Sequence, residues 1–159
     1  MKLTIYSKKK SQQQRDMGDK MKHDGYLKAM RAHVWQCQSD LEELRNHFLQ
    51  APLDKYQRLA LQRLMQVSIE SAIGIAKHWA QQVSQRPILE AYQAFDILNN
   101  AGLLKGNAPW RQIIGMRNVL VHDYLNVDEQ LLDSIIREQL YGVIFDFCSQ
   151  GLTALDQTP

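Results

Sequence analysis

The sequence predicts an all-α fold, an antiparallel up-and-down bundle of about five helices. Two observations carry that prediction. Apolar residues recur three and four positions apart through most of the chain, and no segment alternates for long like a half-buried strand. Glycine and proline are also scarce, with eight and four in 159 residues, whereas sandwiches and barrels need a turn every dozen residues or so. No period of 20 to 50 residues repeats, so a bundle is favoured over a solenoid.

The first helix is expected over about 25 to 50. Leu27, Met30, Val34, Cys37, Leu41, Leu44 and Phe48 form its apolar stripe, with Asp24 as N-cap and Ala51-Pro52 as terminator. A second begins after Asp54 and carries Leu61, Leu64, Ile69, Ile73, Ala76, Ala80 and Val83 towards Ser84 and Gln85. Pro87 opens a shorter third helix, from Ile88 to about Asn99, with Ala91, Phe95 and Leu98 on one face. Pro109 starts a fourth, through Trp110, Ile113, Ile114 and Arg117 to about Val121. Asp128 caps a fifth bearing Leu132, Ile136, Leu140, Val143 and Phe147. Stripes on more than one side of a helix pair would also suit a dimer.

Residues 1–22 read differently. They combine a lysine run, a glutamine tract and little apolar content, too little to offset the entropy of ordering, and so are expected to form a flexible basic tail ahead of a domain spanning 23–159. The formal net charge of +2 is unevenly spread. Residues 1–22 hold seven basic and two acidic residues, or +5, leaving twelve basic and fifteen acidic residues, or −3, from residue 23 onward. Cys37 and Cys148 lack any C-x-x-C spacing, which argues against a disulfide framework or zinc ribbon and suits a reducing, cytoplasmic setting. No apolar run approaches the roughly 18 residues of a membrane span.

The chemistry is concentrated in Arg117-Asn118-Val119-Leu120-Val121-His122-Asp123-Tyr124. Given nine Arg, five His and six Tyr, the pattern Arg-x4-His-x-Tyr is expected by chance about 0.01 times in such a chain. On an ideal helix Arg117 and Tyr124 lie within roughly 20° of each other, whereas His122 falls about 140° from Arg117. Convergence of all three therefore requires either a helix that frays near His122 or a second subunit.

The motif, set in "GMRNVLVHDYLNVD" before the last helix, resembles the HepT-like branch of the HEPN superfamily of small helical ribonucleases. The resemblance continues through "LQRLMQVSIESAIGIAKHWA" and "AFDILNNAGLL" and covers about residues 54–150. It implies a homodimeric toxin that cleaves RNA without a metal or other cofactor, paired with a minimal nucleotidyltransferase antitoxin (MntA-like). In that family the antitoxin attaches AMP to the motif tyrosine, here Tyr124, and the motif arginine and histidine, here Arg117 and His122, are held responsible for cleavage. Glu70 matches a frequent acidic position of the family. It could pair with Arg117 across the bundle or simply be solvated.

The residue chemistry agrees with these roles. Metal-free RNA cleavage needs a base for the ribose 2′-hydroxyl, an acid for the departing 5′-oxygen and a cation for the phosphorane. Histidine titrates near neutrality, and arginine grips phosphate with a planar fork. One histidine does not readily serve as acid and base in a single step, which ties activity to a two-fold dimer. Asp123 could orient an imidazole or hold a helix end, and Asn118 could bond to RNA or to the turn. His33 and Cys37 share a helix face, but Cys37 belongs to the apolar stripe and reads as buried. Trp35, Trp79 and Trp110 read as core or interface. The competing readings are a noncatalytic module that presents Tyr124 to a nucleotidyltransferase or binds nucleotide, and a purely structural helical dimer.

Because the charge surplus lies in residues 1–22, RNA recognition is expected from a local cationic cleft around Arg117. Removing those residues is predicted to leave cleavage largely intact, checked by comparing RNA cleavage rates of the full and shortened chains.

Overall fold

A computed structural model describes residues 2–157, with side chains described from residue 11. Among the described residues it is all-helical: α1 (Lys2–Gln50), α2 (Lys55–Ser84), α3 (Ala91–Asn100), α4 (Trp110–His122), α5 (Glu129–Arg137) and α6 (Gly142–Asp156). A single 3₁₀ turn, Tyr124–Asn126, joins α4 to α5.

Helix α2 occupies the centre and packs against α1, α3, α4 and α6. Its start is well specified: Asp54 accepts from the Gln57 N–H at 2.8 Å, while the Gln57 side chain accepts from the Asp54 N–H at 2.9 Å, a reciprocal capping box. Leu61, Met65, Ile69, Ala72, Ile73, Ala76 and Ala80 then run down its buried side. The α1 stripe behaves as its spacing predicts, with Leu27, Val34, Cys37, Leu41 and Leu44 buried. Trp79 is buried, and Trp110 stacks on Phe95 at 4.3 Å and meets Phe147 edge-on at 4.8 Å. Trp35, by contrast, is exposed.

Three expectations about boundaries are corrected. First, α1 starts at Lys2 rather than near residue 25, and Asp24 lies inside it instead of capping it. Lysine, glutamine, arginine and methionine are good helix formers, and nothing between residues 2 and 24 breaks the helix, so it propagates outward from its packed part. Among the described residues, 11–22 are nevertheless exposed or, at Gly18, partly so, and the first buried one is Leu27. Second, α3 begins at Ala91, because α2 ends on Gln85 in the left-handed region (φ 56°) and the chain runs extended into Glu90.

Third, the predicted fifth helix is two helices. Gln139 adopts φ 55°, and the Leu140 N–H bonds back to the Ile135 carbonyl at 3.0 Å, closing α5 with a Schellman turn. Helix α1 holds this corner. The Glu42 carboxylate accepts from Tyr141 Oη at 2.9 Å and from Gln139 Nε2 at 3.1 Å. Burial, and then the bond to Glu42, push the Tyr141 phenol up to about 12. The bend carries Leu140 and Val143 off the core stripe and leaves both exposed. Beneath α5, Arg58 of α2 pairs with Asp133 at 3.0 Å, and the Asp128 carboxylate caps the helix by accepting from the Leu131 N–H at 3.0 Å.

Helix α6 approaches α2 most closely at Gly151, where an added Cβ would collide with Ile75 Cγ2. Gly151→Ala is predicted to destabilise the fold, because overpacking of about 1–3 kcal/mol exceeds the helix-propensity gain of up to about 1 kcal/mol. The measurement is the midpoint of chemical denaturation, which should fall.

Candidate active site

The motif sits where α4 leaves the bundle. Ile114 and Leu120 anchor α4 in the core, and Trp110 fixes its start against Phe95 and Phe147. Arg117 lies between these anchors and is half-buried. Its Nε is fully buried with no hydrogen-bond partner, and no carboxylate among the described residues forms an ion pair with its guanidinium. An unsatisfied buried donor of this kind is costly, and Tyr26 Oη and Ser68 Oγ are the other buried side-chain atoms without a partner among the described residues.

The helix does not fray near His122. It continues through that residue, and the Asp123 N–H still bonds to the Val119 carbonyl at 2.9 Å. Within one chain Arg117 and His122 therefore keep the angular separation of about 140° expected of a helix. The chain departs from helical geometry at Asp123 (φ −139°, ψ 43°), so the ideal phase between Arg117 and Tyr124 does not carry past the helix end. His122 is exposed, as are Tyr124 at 66% and Leu125 at 82%.

Each supporting residue has a definite place. Asp123 holds the turn: its Oδ1 accepts from Asn126 Nδ2 at 2.6 Å and its carbonyl from the Asn126 N–H at 2.9 Å. It is engaged with the chain beyond the helix. Glu70 is exposed and accepts from Gln66 Nε2 at 3.0 Å; it is not paired with Arg117, so the solvated alternative holds. Asn118 is half-buried beside Arg117. His33 Nε2 lies 3.7 Å from Cys37 Sγ, and Cys37 is buried as its stripe position predicts.

Sequence reasoning missed two parts of this region. One is the bond from Asn126 to Asp123: Asn126 is readable as a turn residue, and the Asp-x-x-Asn spacing after a helix end is the signal for its partner. The other is an apolar groove of about 630 Å³ between α4, α5 and α6, lined by Met116, Val119, Val127, Leu131, Leu140 and Val143 among others. No spacing rule points to it, because its lining comes from helices that only the fold brings together.

Among the described residues of one chain, then, the Arg117 guanidinium within α4, the His122 imidazole at its end and the Tyr124 phenol just beyond it have no hydrogen-bond or ion-pair partner, and neighbouring Met116 and Val119 line an open apolar groove. Such a set suits an anionic ligand, with arginine supplying charge and histidine a proton-transfer group.

Comparison with known proteins agrees with this chemistry. The model of a family described as "Ribonuclease HepT-like" matches residues 30–150, which takes in the C-terminal part of α1, all of α2 to α5 and the first part of α6. The chain belongs to the HepT-like ribonuclease family. A protein of Methanocaldococcus jannaschii named "Putative RNase MJ1380" is 41% identical over 34 residues, covering 21% of this chain and 31% of that protein. The match thus spans under a third of the archaeal relative. No solved structure matches the chain at a significant level.

Proposed function

We propose that this HepT-like chain is a metal-independent endoribonuclease, the toxin of a type VII toxin–antitoxin pair acting in the cytoplasm. Its antitoxin would be a minimal nucleotidyltransferase (MntA-like) that AMPylates Tyr124. The observation that carries this reading is the set of unpartnered motif groups, Arg117 with its buried, unsatisfied Nε above all, in a family of ribonucleases.

The chemistry runs through two histidines. One His122 removes the proton from a ribose 2′-hydroxyl, whose oxygen attacks the adjacent phosphorus. Arg117 holds the non-bridging oxygens as negative charge builds in the phosphorane. A second imidazolium gives its proton to the departing 5′-oxygen, leaving a cyclic 2′,3′-phosphate and a free 5′-hydroxyl. Each chain has one His122, and α4 stays helical through it, so the second histidine is supplied by a second copy of the chain. The exposed apolar groove beside the motif supports the same arrangement, since a homodimer contact there would cover Val119, Leu131, Leu140 and Val143. AMP on Tyr124 would place a bulky anion beside the arginine and block RNA by occupancy and by satisfying its charge.

A second reading is favoured by one observation, the 66% exposure of Tyr124 at the tip of a turn. Such a tyrosine could serve a noncatalytic module that only presents itself for modification.

Two experiments test these readings. His122→Ala should lower RNA cleavage by about 10²–10⁴-fold, the usual contribution of a general acid or base, with melting temperature and oligomeric state unchanged. Retained cleavage in a folded variant would remove the catalytic assignment. Incubation with the nucleotidyltransferase and ATP should add adenylyl groups detectable by mass spectrometry, and Tyr124→Phe should abolish them. Modification without cleavage by the unmodified wild-type chain would favour the noncatalytic module.

A further inference from the structure

We infer that Asn126 is a positioning residue for the motif, acting through Asp123 to fasten the last turn of α4, which carries His122, to the turn that carries Tyr124; this rests on the nuclease reading above. The motif ends at a place where the core has no grip. The turn Tyr124–Asn126 buries no residue, and its first two side chains are largely in solvent. Two hydrogen bonds hold it instead, both between Asn126 and Asp123: side-chain amide to carboxylate at 2.6 Å and N–H to carbonyl at 2.9 Å.

The upstream side of this clasp is tied to α4, because the Asp123 N–H makes that helix's closing bond to Val119. The downstream side is tied to α5, because half-buried Val127 packs on the core and Asp128 caps the next helix. Asn126 and Asp123 therefore close the one link between two anchored helices on which the motif histidine and tyrosine depend. A carboxylate that accepts a charge-assisted bond from a side-chain amide is a strong and directional tie for so short a turn. It also explains why Asp123 follows the histidine directly: its carboxylate is turned to the chain ahead.

The bond has a chemical polarity that can be inverted. In Asn126→Ala the side-chain bond is lost. In Asn126→Asp two carboxylates meet at bonding distance and repel. In the double variant Asp123→Asn with Asn126→Asp, donor and acceptor trade places and the bond re-forms.

The test uses the full chain, comparing RNA cleavage and Tyr124 adenylylation among these variants and the wild type. Asn126→Ala should lower kcat by roughly 10-fold or more, the scale of a misplaced catalytic group, with KM little changed and melting temperature retained. Asn126→Asp should lose at least as much. The double variant should recover most of the loss. Wild-type rates in Asn126→Ala, or no recovery in the double variant, would overturn the inference, since residues that merely touch RNA would not be rescued by exchange. If the wild-type chain cleaves no RNA, the nuclease reading fails instead. The clasp is then judged by amide hydrogen exchange at position 126: faster exchange in Asn126→Ala with recovery in the double variant supports it, and unchanged exchange overturns it.

Discussion

The bundle depends on the burial of α2. Its apolar side chains from Leu61 to Ala80 lie against four other helices, and each neighbour takes its position from that contact. At about 25 cal/mol per Å² of apolar surface removed from water, such a continuous face is the main favourable contribution available to a chain this small. Small residues set how close the neighbours come. Ala72, Ala76 and Ala80 leave room along α2, and Gly151 lets α6 press against Ile75. Helix α4 is held against the same centre through Ile114 and Leu120, so the motif inherits its place from packing that has nothing to do with chemistry.

Against that background the end of α4 stands out for what it leaves unsatisfied. Several polar groups elsewhere find partners: Glu42 binds Gln139 and Tyr141, Arg58 binds Asp133, and Asp54 and Asp128 cap helices, whereas Tyr26 Oη and Ser68 Oγ are buried without one. Arg117 has a buried Nε with no acceptor, and His122 and Tyr124 point to solvent. Val119 and Asn126 of the same stretch line an apolar groove with Leu131, Leu140 and Val143, side chains that lack cover.

Much of this was legible in the residues. The three-and-four spacing located α1, α2 and α4, and the aspartates at 54 and 128 marked the starts of α2 and α5, because caps and stripes are encoded within a turn or two of the positions they govern. The extension of α1 to Lys2 is not legible in apolar content, because helix can propagate from a packed segment on propensity alone. The break at Gln139 escaped notice because the apolar periodicity runs through it unbroken. A non-glycine residue in the left-handed region leaves no local signature when a partner elsewhere, here Glu42 almost a hundred positions away, holds the corner.

The helical class, the first four helices in their order and the gathering of Arg117, His122 and Tyr124 into one motif are readable from the chain alone, since periodicity and residue type need no tertiary contact. Only the tertiary structure decided how those groups stand. It kept α4 helical through His122, assigned Asp123 to Asn126, left Glu70 with Gln66 rather than Arg117, and formed the groove by bringing its lining helices together. The physical reason is range. Helix propensity acts between neighbours, whereas the direction of a side chain at a helix end depends on which hydrogen bonds and packed surfaces the rest of the fold brings to it.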